Sequence, residues 1–184
     1  MSIQELVYDL SKEPFSPQKN FDVAEEYNAL NQTASAIAFY QRTAEYSAND
    51  NIELTYIALI KMALCFDKQG ERKHTVITLL QHAISLFPER PEGYFFLSNI
   101  YEKSGEWHNC YIFASIGILH DVFDVSFPIE GYYGSYCLIF EKAVSAYWIG
   151  RKEESIKIFE LLETMDLRPE YKKAVKLNLE RIRQ

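Results

Sequence analysis

Four histidines (His74, His82, His108, His120) and three cysteines (Cys65, Cys110, Cys137) are the side chains best suited to hold a metal or act as nucleophiles. A closed zinc site needs four such ligands at short spacings, because tetrahedral geometry brings them to one point. Only His108 and Cys110 stand close, as a lone H-x-C pair, and no C-x-x-C occurs. Dinucleotide loops, phosphate cradles, nucleophile elbows and zinc-protease helices each have a signature, and none of G-x-G-x-x-G, P-loop, G-x-S-x-G or H-E-x-x-H is present. The carboxylates read as the solvated faces of helices, with no acid and base pair standing out. The chain is therefore expected to have no catalytic residues, no metal and no cofactor. What remains is a surface.

The elements that would carry such a surface are helices. A chain of 184 residues with 48% hydrophobic residues can bury a sizeable core and is not disordered over most of its length. Seven glycines and six prolines are too few for a turn-rich all-β fold. The 13 Tyr and 12 Phe suit packing between elements. A net charge of −7 and a pI near 5.2 exclude a nucleic-acid binder that needs a basic field. From Leu167 to Gln184 six basic and two acidic residues give a local +4, so the remainder carries −11. That basic stretch reads as the solvated face of a terminal helix, with docking on an acidic partner or membrane surface as the alternative. The start lacks the basic and uninterrupted apolar regions of a signal peptide, and no apolar run reaches the ~20 residues needed to span a bilayer. The odd cysteine count and the absence of a leader point to reduced, buried thiols in a cytoplasmic protein.

Ser2 and Glu5 have capping-box spacing, and Ile3, Leu6, Val7 and Leu10 then form one apolar stripe. Pro14 breaks this helix, and Ser16 with Pro17 starts the next. From there the chain repeats a two-helix unit. Its first helix reads large-x-x-Leu-small-x-x-Tyr, and its second carries a small residue, an aromatic four on and a small residue three later. Tyr94, Leu97, Ser98 and Tyr101 fit the first pattern, Gly105 makes the turn, and Cys110, Ala114 and Gly117 fill the second, with alanine where an aromatic is usual. Leu59, Met62, Ala63, Phe66 and Gly70 lead to Val76, Leu80, Ala83 and Pro88 in the unit before. Val23, Ala24 and Tyr27 lead to Ala36, Tyr40 and Thr43 earlier still. The last unit ends on Gly150, Ser155, Phe159 and Leu162, and its first helix fits in two registers one residue apart. The small residues are needed where two helices cross at close range.

This is the tetratricopeptide pattern. It predicts an all-α, right-handed superhelix of ten to eleven helices in a single domain of residues 1–184. The expected parts are an N-terminal helix and linker (1–16), repeats at 17–50, 52–88, 89–120 and 134–166, an insert loop (121–133) and a capping helix (168–183). The capping helix carries Tyr171, Ala174, Val175, Leu179 and Ile182 on one face.

First helices line the concave groove of such arrays. The slot just after the large residue that opens the motif holds Phe21, Ile60 and Phe95, and Phe140 in one register. This apolar column suits a partner helix or extended peptide, with Asn99 and Glu102 on the same face supplying polar contacts. Tyr132 and Tyr133 on the insert are expected to order it over the groove's end. The alternative is that the column packs first helix against first helix, or under the N-terminal helix. The tetratricopeptide type that clamps chaperone-tail carboxylates needs asparagines where this chain has Glu25, Leu64 and Asn99. One match in three excludes it.

The stretches "RPEGYFFLSNIYEKSGEW…YIFASIG" and "YYGSYCLIFEKAVSAYWIGRKEESIKIFELL" resemble the tetratricopeptide region attached to, or encoded beside, family-2-type glycosyltransferases of bacteria and large phages. The likeness covers roughly residues 88–165 well and the first half loosely, and similar segments belong to large tailed phages of marine cyanobacteria. It implies a protein-interaction scaffold beside a glycosyltransferase, in host cytoplasm if phage-encoded. The chain has no alternating βα pattern for a nucleotide-sugar fold, and "DVFD" at 121–124 has the wrong spacing for an Asp-x-Asp metal motif. The catalytic domain then lies on another chain, or this is an excised or stand-alone module. A self-associating structural or assembly protein with no glycan role is the other reading, so a homo-oligomer stays open.

Overall fold

A computed structural model describes residues 1–120 and 129–183. Among these there are ten α-helices and no strand: α1 (Ile3–Lys12), α2 (Pro17–Ala29), α3 (Thr33–Ser47), α4 (Ile52–Gln69), α5 (Lys73–Leu86), α6 (Pro91–Lys103), α7 (Trp107–Ile118), α8 (Ser135–Trp148), α9 (Lys152–Glu163) and α10 (Pro169–Arg183). The all-helical class is the expected one. Residues 121–128 of the expected insert loop lie outside the described residues. None of the described helices is long and apolar enough to cross a membrane.

The first two helix starts follow from local chemistry. Ser2 and Glu5 complete a reciprocal capping box, the Ser2 amide donating to Glu5 Oε2 at 2.8 Å. The Ser16 hydroxyl accepts from the Lys19 amide, and Pro17 stands in the first turn, where its missing N–H costs nothing.

The chain divides into two compact units, Met1–Pro88 and Glu89–Gln184. In the first, α1 packs on α2, and α2 to α5 pack each on the next. Val23, Ala24, Ala36, Tyr40, Ala63, Leu80 and Ala83 are fully buried there. Of the α1 stripe only Leu10 is buried, because α2 covers one edge of that helix and leaves Val7 exposed. In the second unit α7 lies between α6 and α8, α9 packs on α8, and α10 closes the end against α9 and α8. Val175, Leu179 and Ile182 of α10 join Ala143, Phe159 and Leu162 in one core.

A fixed interval organises all four pairs. The small residue of each first helix stands seven positions before a residue of positive φ: Ala24 before Asn31 (57°), Ala63 before Gly70 (76°), Ser98 before Gly105 (70°), Ala143 before Gly150 (83°). Glycine enters the left-handed region without a Cβ penalty, and asparagine is the next best tolerated residue there. The interval selects between the two registers of α8. Ala143 is the small residue, fully buried, and its carbonyl accepts from Ser155 Oγ at 2.7 Å. Tyr147, a pattern position in the other register, is 37% exposed. Gly117 shows why a small residue is required on α7: a Cβ built there would stand 2.7 Å from Tyr94 Cβ and 2.9 Å from Leu138 Cδ2.

Candidate functional site

The eight residues of the expected partner surface fall into three environments. In the first unit Phe21 is half-buried with its ring 5.8 Å from Tyr40, and Ile60 is fully enclosed. In the second unit Phe95 is 6% exposed, its ring 5.2 Å from Phe96 and 5.5 Å from Tyr132. Tyr132 is thus held on α6, while exposed Tyr133 takes the Arg168 guanidinium over its ring at 3.9 Å. Phe95 is thus covered by rings of its own unit.

Asn99, Glu102 and Phe140 come together. They line an open pocket of about 280 Å³ with Glu141, Glu170, Tyr171 and Ala174. Three helices build it: α6 supplies Asn99 and Glu102, three residues apart and so on one face, α8 supplies Phe140 and Glu141, and α10 supplies the rest. The Phe140 ring meets Tyr171 edge-on at 5.3 Å and Phe159 at 5.8 Å, which fixes one wall. At the low end of ligand-cavity volumes, the pocket suits one side chain better than a whole cofactor.

The pocket is acidic. Glu170 is exposed and paired with Arg168 at 2.7 Å. Glu102 is half-buried, and Glu141 is 4% exposed. Among the described residues neither Glu102 nor Glu141 has a basic partner within ion-pair distance. Glu141 accepts from Asn99 Nδ2 at 3.3 Å and from the Cys110 thiol at 3.7 Å. Burial, reinforced by the Glu102 charge, pushes the Glu141 carboxyl up to about 7 against the pull of those hydrogen bonds. Burial first, then the charge of Glu141, pushes the Cys110 thiol well above its ordinary range, so it stays a protonated weak donor. Burial likewise raises the Tyr171 hydroxyl.

Among the described residues no group of three His, Cys, Asp or Glu side chains is placed to hold a metal ion. Cys65, Cys110 and Cys137 are each buried and free.

Two features escaped the sequence pattern. Glu141 carries no sequence signal of its own, because a glutamate on a helix is expected to face solvent. Arg90 and Glu92 form a fully buried ion pair at the start of α6, Arg90 Nη2 to Glu92 Oε1 at 2.5 Å and Nε to Oε2 at 3.2 Å. The Arg-Pro-Glu spelling was the available signal, since a charge two residues away across a helix start can fold back on its partner.

No family model matches the sequence, and no curated protein matches it either. Solved structures do match in fold. The crystal structure of MamA gives a TM-score of 0.68 at 16% identity, over 91% of this chain and 87% of that one. PilW, a widely conserved type IV pilus biogenesis factor, gives 0.66 at 15% identity over 88% of this chain and 67% of its own. YrrB, a TPR protein with an unusual peptide-binding site, gives 0.67 at 13% identity over 90% and 76%. The likeness is one of fold: helix pairs of tetratricopeptide type.

Proposed function

We propose that this chain is a protein-interaction module that seats a segment of a partner protein in the pocket between α6, α8 and α10. The observation that carries the reading is the pocket itself. It is open, built from three rigid helices, and lined by aromatic rings beside polar groups, the composition expected of a recognition site. The absence of catalytic motifs in the sequence fits a binding role. YrrB's peptide-binding site lends the same fold a precedent.

The test is selection of a displayed library of random 12-residue peptides on the immobilised full chain, followed by fluorescence-anisotropy titration of the enriched sequences. Saturable binding that weakens in Asn99→Ala supports the module. Failure to enrich any sequence class over an unrelated helical protein ends it.

The likeness of residues 88–165 to regions beside family-2-type glycosyltransferases supports a more specific partner, a glycosyltransferase on a separate chain in the cytoplasm. Co-expression with a glycosyltransferase from a neighbouring reading frame tests that assignment, and co-elution through size-exclusion chromatography is the expected result.

One observation favours self-association as a second reading. Trp148 is 58% exposed and stacked on Trp107 at 5.1 Å, with Tyr147 edge-on at 5.4 Å. Beside it opens a second cavity of about 270 Å³, lined in part by Val144, Phe159 and Ile182. Light scattering on the chain and on Trp148→Ser decides it, since a dimer through this face would dissociate in the variant.

A further inference from the structure

We infer that the pocket between α6, α8 and α10 takes the cationic head of a lysine or arginine side chain on the bound segment. This deepens the proposed function and rests on it.

The first ground is charge. Glu102 and Glu141 face the pocket with no cation in ion-pair reach among the described residues, and Glu170 at its rim shares its charge with a single exposed arginine. The second ground is independent of the count of carboxylates. Glu141 is more than nine-tenths buried, yet among the described residues no cation is paired with it: its hydrogen-bond partners are one neutral amide and one thiol at 3.7 Å. A buried carboxylate is ordinarily paired with a cation, because an isolated charge in an apolar setting is costly. Here that place borders the open cavity. A cation entering it would gain a charge-assisted hydrogen bond in partial shelter from water, where such bonds are strongest.

The third ground is shape. The walls beside the carboxylates are the Phe140 and Tyr171 rings, which meet edge to face. Long basic side chains lay their methylene stems on apolar surface while the head reaches a polar group, and a guanidinium also stacks on ring faces. A cavity of about 280 Å³ holds one such side chain. An acidic or C-terminal carboxylate occupant would face three glutamates lining one cavity. A purely apolar one would leave Glu141 sealed without compensation.

The experiment uses the peptides enriched on the full chain, remade with one residue changed. The expected result is a shared lysine or arginine, whose replacement by methionine weakens binding at least tenfold. Glu102→Gln should weaken the parent peptide several-fold and Glu102→Lys more than tenfold, while Glu153→Gln, on the exposed start of α9, leaves it unchanged. Circular dichroism melting confirms that the α6 variants fold. Enriched peptides with no basic residue in common overturn the inference and leave the interaction module standing. So does a shared basic residue whose contribution is indifferent to Glu102. Spermidine competing as well as the peptide assigns the site to free amines and overturns the peptide source. Failure to enrich any peptide removes both readings together.

Discussion

The Asn99 amide on α6 donates to the Glu141 carboxylate on α8 across 3.3 Å, and this is the strongest contact that buried carboxylate makes. It ties two first helices together at the floor of the pocket. It does not neutralise the charge. Burial and the neighbouring Glu102 raise the Glu141 carboxyl, while Asn99, the Cys110 thiol and the charge of Lys103 pull the other way. Glu170, paired with Arg168, and the neutral Tyr171 face it from α10.

Stability should therefore fall as pH rises from about 4.5 to about 7. A carboxyl raised from 4.5 to about 7 holds its proton in the folded chain at a pH where the unfolded chain has lost it. Its contribution is full below about 4.5 and is lost as pH rises through about 7, on the order of 3 kcal/mol in all. Glu141→Gln removes that dependence. In urea titrations between pH 4.5 and 8, the variant should gain on the parent chain steadily until about pH 7 and then run parallel. Curves parallel throughout would mean that Glu141 is not raised.

Gly117→Ala tests the close approach of α7 to its neighbours. In a free helix the change would gain about 0.8–1.0 kcal/mol of helix propensity. Here the new Cβ meets Tyr94 Cβ at 2.7 Å, an atom fixed to the α6 backbone. Overpacking of that kind costs about 1–3 kcal/mol, so the clash wins and the variant is destabilised. A drop of several degrees in melting temperature is expected. A rise would show that α6 and α7 separate easily.

How much of this was legible in the chain turns on what each residue is for. The small residues Ala24, Ala63, Ser98, Cys110 and Ala114 could be read because a helix crossing admits nothing larger, and all are fully buried. The register of α8 was also in the sequence, in the seven-residue interval to Gly150, but Asn31 hid the rule by standing where the other pairs have glycine. The pocket was half legible. Asn99, Glu102 and Phe140 share it, yet Phe95 in the same slot as Phe140 is covered by Phe96 and Tyr132. Spacing gives a residue's face on its own helix and not what another segment lays over it.

Phe95→Ser separates packing from partner contact at that position. Truncating a well-buried phenylalanine costs roughly 3–5 kcal/mol, or about 2–4 °C of melting temperature for each kcal/mol at this size. With 6% exposure and two ring neighbours, the larger effect should be on stability. Peptide affinity per folded molecule should change less than threefold. A tenfold loss of affinity with an unchanged melting temperature would restore Phe95 to the partner surface.

The buried pair Arg90–Glu92 makes the sharpest contrast with an ion pair of similar length. Arg183 and Glu160 meet at 2.7 Å, but both are about half exposed, so water and salt screen them. Such pairs contribute about 0–1 kcal/mol. Arg90 and Glu92 are 0% and 1% exposed, at 2.5 Å. Removing one partner breaks a buried, doubly hydrogen-bonded pair, a loss of about 3–5 kcal/mol. Glu92→Gln should therefore unfold the chain at much lower urea, with a loss that stays the same in 0.5 M salt, while Arg183→Gln changes little. The double variant Arg90→Met with Glu92→Leu removes both charges and keeps apolar volume. It should recover at least half of the loss, because replacing both members of a buried pair by apolar groups of similar volume costs far less than removing one member. If the double variant is as unstable as Glu92→Gln, the other contacts of Arg90 hold the α6 start, and the pair is secondary to them.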